Sequence, residues 1–167
     1  GPQWTALAEI AERHARGTPL HLTTRQDVEL HGLTAETVPA AQQALAASDL
    51  TGLGACGDTL RNVTVSPDSG VLDGTVDLRP LGWAIRRTLE ALPGVYALPR
   101  KFKISLSHDD RADAQPWIND LGLIARRRDG RWGFEVIAAG SLGARPGTGV
   151  LFREFIPAAQ AVPLAVA

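Results

Sequence analysis

The sequence predicts an α+β chain: a small β–α–β piece up to about residue 50, then a larger mixed lobe. Three observations lead there. Apolar residues recur at helical spacing at Leu78, Leu81, Ile85, Leu89 and Leu92. "LHLTTRQDVELH" alternates apolar and polar residues in the manner of a half-buried strand. Two β-prone runs flank Asp129-Gly130, a pair that favours a tight hairpin turn.

Taken in order, Trp4, Leu7, Ala8, Ala11 and Ala15 form a helical stripe that stops at Gly17. In the alternating segment the even positions Leu20, Leu22, Thr24, Val28 and Leu30 are mostly apolar. The odd positions His21, Thr23, Arg25, Asp27, Glu29 and His31 are all polar, which predicts one long strand kinked near Gln26. Residues 35–47 read as an Ala-rich helix. A loop carrying Gly52, Gly54 and Gly57 leads to "RNVTVSP", a short strand ended by Pro67. Asp77 opens the helix that contains Ile85, and Pro93-Gly94 stops it. A strand over 101–107 and the hairpin "NDLGLIARR"/"RWGFEVIAA" follow. "AGSLGARPGTG" reads as a glycine-rich loop, and the Ala/Pro-rich tail carries no element.

Composition narrows the function classes. The chain has 167 residues, 44% apolar and 21% charged, with a formal net charge of −1. That balance offers no bulk electrostatic case for nucleic-acid or membrane partners. No apolar run reaches transmembrane length and the start lacks a signal-peptide shape, so a cytoplasmic setting is expected. Cys56 is the only cysteine, and a buried or half-buried thiol is its expected role. The chain begins Gly-Pro and has no methionine, which reads as a cut or processed N-terminus.

"YALPRKFKISL" raises the chemical question. On a strand, Lys101 and Lys103 share one face about 7 Å apart. At an effective dielectric near 20 they repel by roughly 2 kcal/mol. Arg100 adds a third cation in four residues, Arg61 leaves a glycine-rich turn, and Arg25 lies on the polar face of the alternating segment. A solvated strand face would account for each singly. Together they point to a site for a strongly anionic ligand.

"LTTRQDVELHG", "GLGACGDTLRNV", "LPRKFKISLS", "NDLGLIA" and "GFEVIAAGSLG", in this order and spacing, resemble siroheme-dependent nitrite and sulfite reductases. The resemblance covers about residues 3–163. It implies a ferredoxin-like half-domain over 1–50 and a siroheme-binding nitrite/sulfite reductase-type lobe over 51–167. It also implies a cage of cations that holds sulfite or nitrite on the open face of the siroheme iron. Carried over by position, Arg61, Lys101 and Lys103 match three of the four cage residues. They would bind the anion and help supply protons as its oxygens leave. Arg25 matches a residue holding a siroheme carboxylate. Gln26 and His31 belong to the same motif, and Asn62, Gly140, Ser141 and Arg145 would lie near the macrocycle. The arginine run Arg126-Arg127-Arg128 is expected to be solvated.

Departures from the family limit what the chain can do alone. The family's 4Fe–4S cluster hangs on four cysteines in its second half, and this chain has none of them. The fourth cage arginine precedes the first helix, outside these residues. His21 stands where many members have a carboxylate-binding arginine, and "AAGSLG" has fewer glycines than usual. The expectation is therefore one half of an oxidoreductase, as a subunit or a fragment, sharing siroheme with a cysteine-bearing second half that brings the cluster. The electron donor is not encoded. The alternatives are a non-catalytic tetrapyrrole-binding or regulatory subunit, or a precorrin-3B synthase-like protein. A split enzyme would expose apolar surface on the half-lobe, whereas a self-sufficient binder would cover it by homodimerisation.

Overall fold

The computed structural model describes residues 1–167, which divide into two units, Gly1–Ala55 and Cys56–Ala167. In the first unit, α1 (Pro2–His14) starts with proline at its first turn and buries Leu7, Ile10 and Ala11. Trp4, read as part of the buried stripe, is exposed. α2 (Val38–Ala47) packs on α1 through Ala41, and Gln3 of α1 donates to the carbonyls of Ser48 and Asp49 just beyond it.

Between these helices the predicted long strand folds back on itself. β1 (His21–Leu22) pairs antiparallel with β2 (Val28–Glu29), placing His21 opposite Glu29 and Leu22 opposite Val28. The expected kink is a complete turn. The Thr23 hydroxyl accepts the N–H groups of Arg25 and Asp27, and Gln26 takes a left-handed backbone with φ 59°. The piece is therefore helix–hairpin–helix rather than β–α–β. Side-chain alternation survives the turn because the register pairs odd positions with odd ones.

The second unit is built on a five-stranded sheet in the order β3-β4-β5-β6-β7. β3 (Thr64–Val65), β4 (Ile104–Ser107) and β5 (Leu121–Arg128) run parallel, and β5, β6 (Arg131–Ala138) and β7 (Val150–Pro157) form an antiparallel meander. α3 (Arg79–Glu90) links the parallel β3 and β4, as a crossover must. Asp77 opens it as expected, accepting the N–H of Arg79 at 3.0 Å. One sheet face buries Ile104, Leu106, Leu123, Phe134, Val136 and Ile156 against Ile85 and Leu89 of α3. Each such aliphatic side chain contributes about 1.5–3 kcal/mol by leaving water.

Asp129 and Gly130 both adopt positive φ, 51° and 75°, and close the predicted β5–β6 hairpin. The tail departs from the sequence reading. It supplies β7 and, after it, α4 (Ala161–Val166), whose Ala161 is fully buried beside Val162, Leu164 and Ala165 in the α3 core. "VLFREFIP" carries aromatic and β-branched residues enough for a strand, a signal hidden behind the glycine loop and the prolines. No helix is long and apolar enough to cross a membrane.

Candidate functional site

The entrance to β4 brings Arg61 beside the segment that carries Lys101 and Lys103. Phe102 forms a parallel bridge with Leu60; Leu60 is buried in the core and Phe102 packs against it. Alternation about Phe102 turns Lys101 and Lys103 away from that core. The backbone that holds them is well tied. The N–H of Arg61 donates to the Phe102 carbonyl at 2.8 Å, and that of Phe102 to the Thr59 carbonyl at 3.0 Å. Two carboxylates fix the lysine backbones, Asp58 accepting the N–H of Lys101 at 3.2 Å and Asp120 that of Lys103 at 2.8 Å.

The arginine has its own anchor. Its guanidinium donates to the Gly57 carbonyl at 2.9 Å, folding back over the glycine-rich loop. Leu60 pairs with Phe102 while Thr64 pairs with Ser105, so one extra residue is accommodated between Leu60 and Thr64. That bulge sits beside the cations, where bulges commonly re-aim side chains. All three cations are half-buried, whereas Arg100 is exposed and lies 3.6 Å from Asp58. Three half-buried cations brought together in this way are the donor types that bind an anion.

Other residues singled out in this unit have structural partners. The Asn62 side-chain oxygen accepts from Arg86 of α3 at 3.0 Å, and Arg86 also pairs with Glu90 at 2.8 Å. Gly140 is buried and donates its N–H to the Asn119 carbonyl at 3.0 Å. A side chain there would meet the Trp117 carbonyl at 2.5 Å and the Asn119 carbonyl at 2.7 Å. Ser141 exchanges two backbone hydrogen bonds with Gly147 at 2.9 Å and accepts the N–H of Gly143, which closes the glycine-rich loop; Arg145 is exposed on it.

Two expectations are corrected. Cys56 is exposed rather than buried, because it lies in the glycine-rich loop and not on an element packed against the core. Arg126 is not simply solvated: it is half-buried and bridges Glu135 at 2.9 Å and Asp110. Sequence reading also passed over His108. Its side chain is fully buried, with Nε2 2.8 Å from Asp68, and Arg111 joins Asp68 to Asp109 at 2.9 Å on each side. "SHDDR" shows the residues, but only the return of the chain past Asp68 brings them together.

In the first unit, Arg25 is half-buried at the hairpin turn and Gln26 is exposed at its left-handed position. His31 is exposed, with Nε2 3.1 Å from Glu29, and His21 approaches the same Glu29 oxygen through Nδ1 at 3.1 Å. The sequence placed these three on one polar face. The hairpin adds that their ring and carboxylate atoms converge.

Family comparison agrees with the motif order. Residues 56–167 match the family model "Nitrite and sulphite reductase 4Fe-4S domain", and residues 1–48 match "Nitrite/Sulfite reductase ferredoxin-like half domain". The chain is 33% identical to the sulfite reductase (NADPH) hemoprotein beta-component of Geobacillus thermodenitrificans, over 87% of its own length and 30% of that protein's. It is 31% identical to the ferredoxin–nitrite reductase of Leptolyngbya laminosa, covering 86% of this chain and 29% of the relative. Against the assimilatory ferredoxin-dependent nitrite reductase of Haloferax mediterranei the identity is 34%, over 86% and 27%. Among solved structures, the Mycobacterium tuberculosis NirA protein superposes with a TM-score of 0.82 at 26% identity, covering 96% of this chain and 29% of that one. The chain thus spans under a third of the length of each of these proteins.

Proposed function

This chain belongs to the nitrite/sulfite reductase family, and from that premise we propose that it is the siroheme- and oxyanion-binding half of a reductase-type oxidoreductase. In this reading residues 1–50 are the ferredoxin-like half-domain and 51–167 the siroheme lobe. The observation that carries it is the set of three half-buried cations, Arg61, Lys101 and Lys103, that the Leu60–Phe102 bridge brings together at the β4 entrance.

The family implies two groups, and the residues present fit them differently. A 4Fe–4S cluster takes four thiolates, and these 167 residues offer Cys56 alone. They do not fit that group, so the cluster belongs with a cysteine-bearing second half. Siroheme is a polycarboxylate, and a donor set rich in half-buried cations suits it. Arg25, with Gln26 and His31 beside it, would take a carboxylate, while Asn62, Gly140, Ser141 and Arg145 would lie along the macrocycle. When bound, siroheme supplies the iron centre for electron transfer to the substrate.

The chain's own residues supply binding and protons. Lys101 and Lys103 each carry a positive charge, and their mutual repulsion of roughly 2 kcal/mol is more than offset when a sulfite or nitrite anion lies between them. Their ammonium groups and the Arg61 guanidinium would donate hydrogen bonds to the anion's oxygens. Asp58 and Asp120 fix the backbones from which the two lysine stems reach, and the guanidinium of Arg61 is held by the Gly57 carbonyl. A lysine can release its proton to a departing oxygen; the arginine remains charged and holds position.

A cytoplasmic setting and an external electron donor complete the proposal. The test is the Lys101→Ala/Lys103→Ala double variant in the complex assembled with the cysteine-bearing half. Turnover of sulfite and nitrite is expected to fall by about 10²–10³-fold for each donor lost, with the siroheme absorption retained. Undiminished turnover would overturn the assignment. A complex that is colourless even with added siroheme would overturn the cofactor.

A further inference from the structure

We propose that His21, Glu29 and His31 form a binding site for a divalent transition-metal ion on the hairpin of the first unit. The inference uses the geometry of this hairpin alone, and it competes with the reductase reading for His31, which would turn to the ion instead of to a cofactor carboxylate.

The register creates the site. His21 and Glu29 are direct cross-strand partners, which holds their Cβ atoms about 4.5–5.5 Å apart on one face. His31 is two residues beyond Glu29 and returns to that face by alternation. The result is two imidazole nitrogens, His21 Nδ1 and His31 Nε2, each 3.1 Å from the same Glu29 oxygen. All three ligand atoms lie within 4.8 Å of one another. The rings are 5.8 Å apart between centroids and tilted by 33°, so they converge without stacking flat against each other.

These separations suit a shared ion. With metal–nitrogen and metal–oxygen bonds of about 2.0–2.2 Å, adjacent ligands lie about 3.3 Å apart in a tetrahedron and about 2.9 Å apart in an octahedron. The two observed nitrogen–oxygen distances fall between those values. Only the gap between the imidazoles has to close, and both rings are exposed, so solvent and not packing surrounds them.

The donor set selects the ion. Two imidazoles with one carboxylate suit Zn²⁺, Co²⁺, Ni²⁺ or Cu²⁺ and do not suit Mg²⁺ or Ca²⁺, which take oxygen ligands. In the ion-free chain Glu29 accepts from both imidazoles and holds them converged. On binding, each imidazole presents a lone pair to the ion and carries its proton on the other ring nitrogen, so the ion takes the place of the two hydrogen bonds to Glu29. Because three ligands leave at least one position open to solvent, water or an exogenous anion would complete the shell.

Calorimetric titration of the untagged 167-residue chain with ZnCl₂ tests the proposal. It is run in a Cys56→Ser background so that the exposed thiol contributes nothing. The expected result is saturation at one ion per chain in the micromolar range. His21→Ala should weaken it by more than the ~10–100-fold that loss of an outer-shell partner costs, and His21→Ala/Glu29→Gln/His31→Ala should abolish it. Co²⁺ in place of Zn²⁺ should give visible bands without thiolate charge transfer, and His21→Ala should remove them. Circular dichroism confirms that each variant is folded; one that is not is replaced by His21→Gln, which keeps the size and removes the ligand nitrogen. Binding that survives the triple variant, or no saturation up to millimolar Zn²⁺, would overturn the site.

Discussion

Replacing Gly140 by alanine separates two reasons for a glycine in the loop beside the candidate site. A Cβ there would lie 2.5 Å from the Trp117 carbonyl, 2.7 Å from the Asn119 carbonyl and 2.9 Å from the Asn119 nitrogen. All three are backbone atoms, so no side-chain rotation can relieve the clash. Ordinary contact is about 3.4 Å or more, so the 117–119 segment must retreat by close to 1 Å. That movement strains the Gly140–Asn119 and Gly149–Trp117 hydrogen bonds, at 3.0 and 2.7 Å. Overpacking costs about 1–3 kcal/mol, and one buried backbone group left unpaired costs a similar ~1–3 kcal/mol. The expected loss is therefore about 2–6 kcal/mol. For the unit spanning 56–167, an unfolding entropy near 2.1 cal/mol/K per residue turns this into a fall in Tm of about 9–26 °C.

Gly143 in the same loop is the control. The nearest atom to a Cβ there is the Ser141 hydroxyl at 3.7 Å, so Gly143→Ala should shift Tm by less than ~2 °C. Differential scanning calorimetry of both variants without any cofactor is the assay. Equal, small shifts would refute the packing explanation and leave close approach to the macrocycle as the reason for both glycines. A large Gly140 effect alone would show that the loop is glycine-bearing for internal packing.

Other outcomes follow from the same geometry. Hydrogen bonds from Arg79 hold the Asp77 carboxyl below its usual pKa. A depressed folded pKa contributes stability above the unfolded value near 3.9, and that contribution is lost as pH falls through the folded value. Asp77→Asn should therefore melt below the parent at pH 6, and the gap should narrow as the solution is acidified through the lowered folded value; a gap that stays constant on acidification would refute the linkage. Leu106→Ala, in a fully buried position on β4, should cost about 2.7–5.0 kcal/mol by urea titration. A loss under ~1 kcal/mol would mean that the core beneath the lysine strand collapses into the space.

The sequence by itself determined the periodic elements and the residue types at the candidate site. Helix spacing around Ile85, the Asp129-Gly130 turn and the cations of "RKFK" are local signals, set by neighbours within a few residues, and they appear where they were read. Tertiary structure decided what local signals leave degenerate. Alternation from residue 20 to 31 is the same for one long strand and for a hairpin with odd-to-odd register, because side chains repeat every two residues in both. Only the turn at Thr23–Asp27 resolves it, and with it the convergence of His21, Glu29 and His31. Likewise, Arg61 lies forty positions from Lys101, and the Leu60–Phe102 bridge, not the spacing, makes their segments neighbours. The tail became strand and helix because β6 offered a free edge and the α3 core an uncovered side. Burial of that kind is a property of the whole sheet, which no short window of sequence contains.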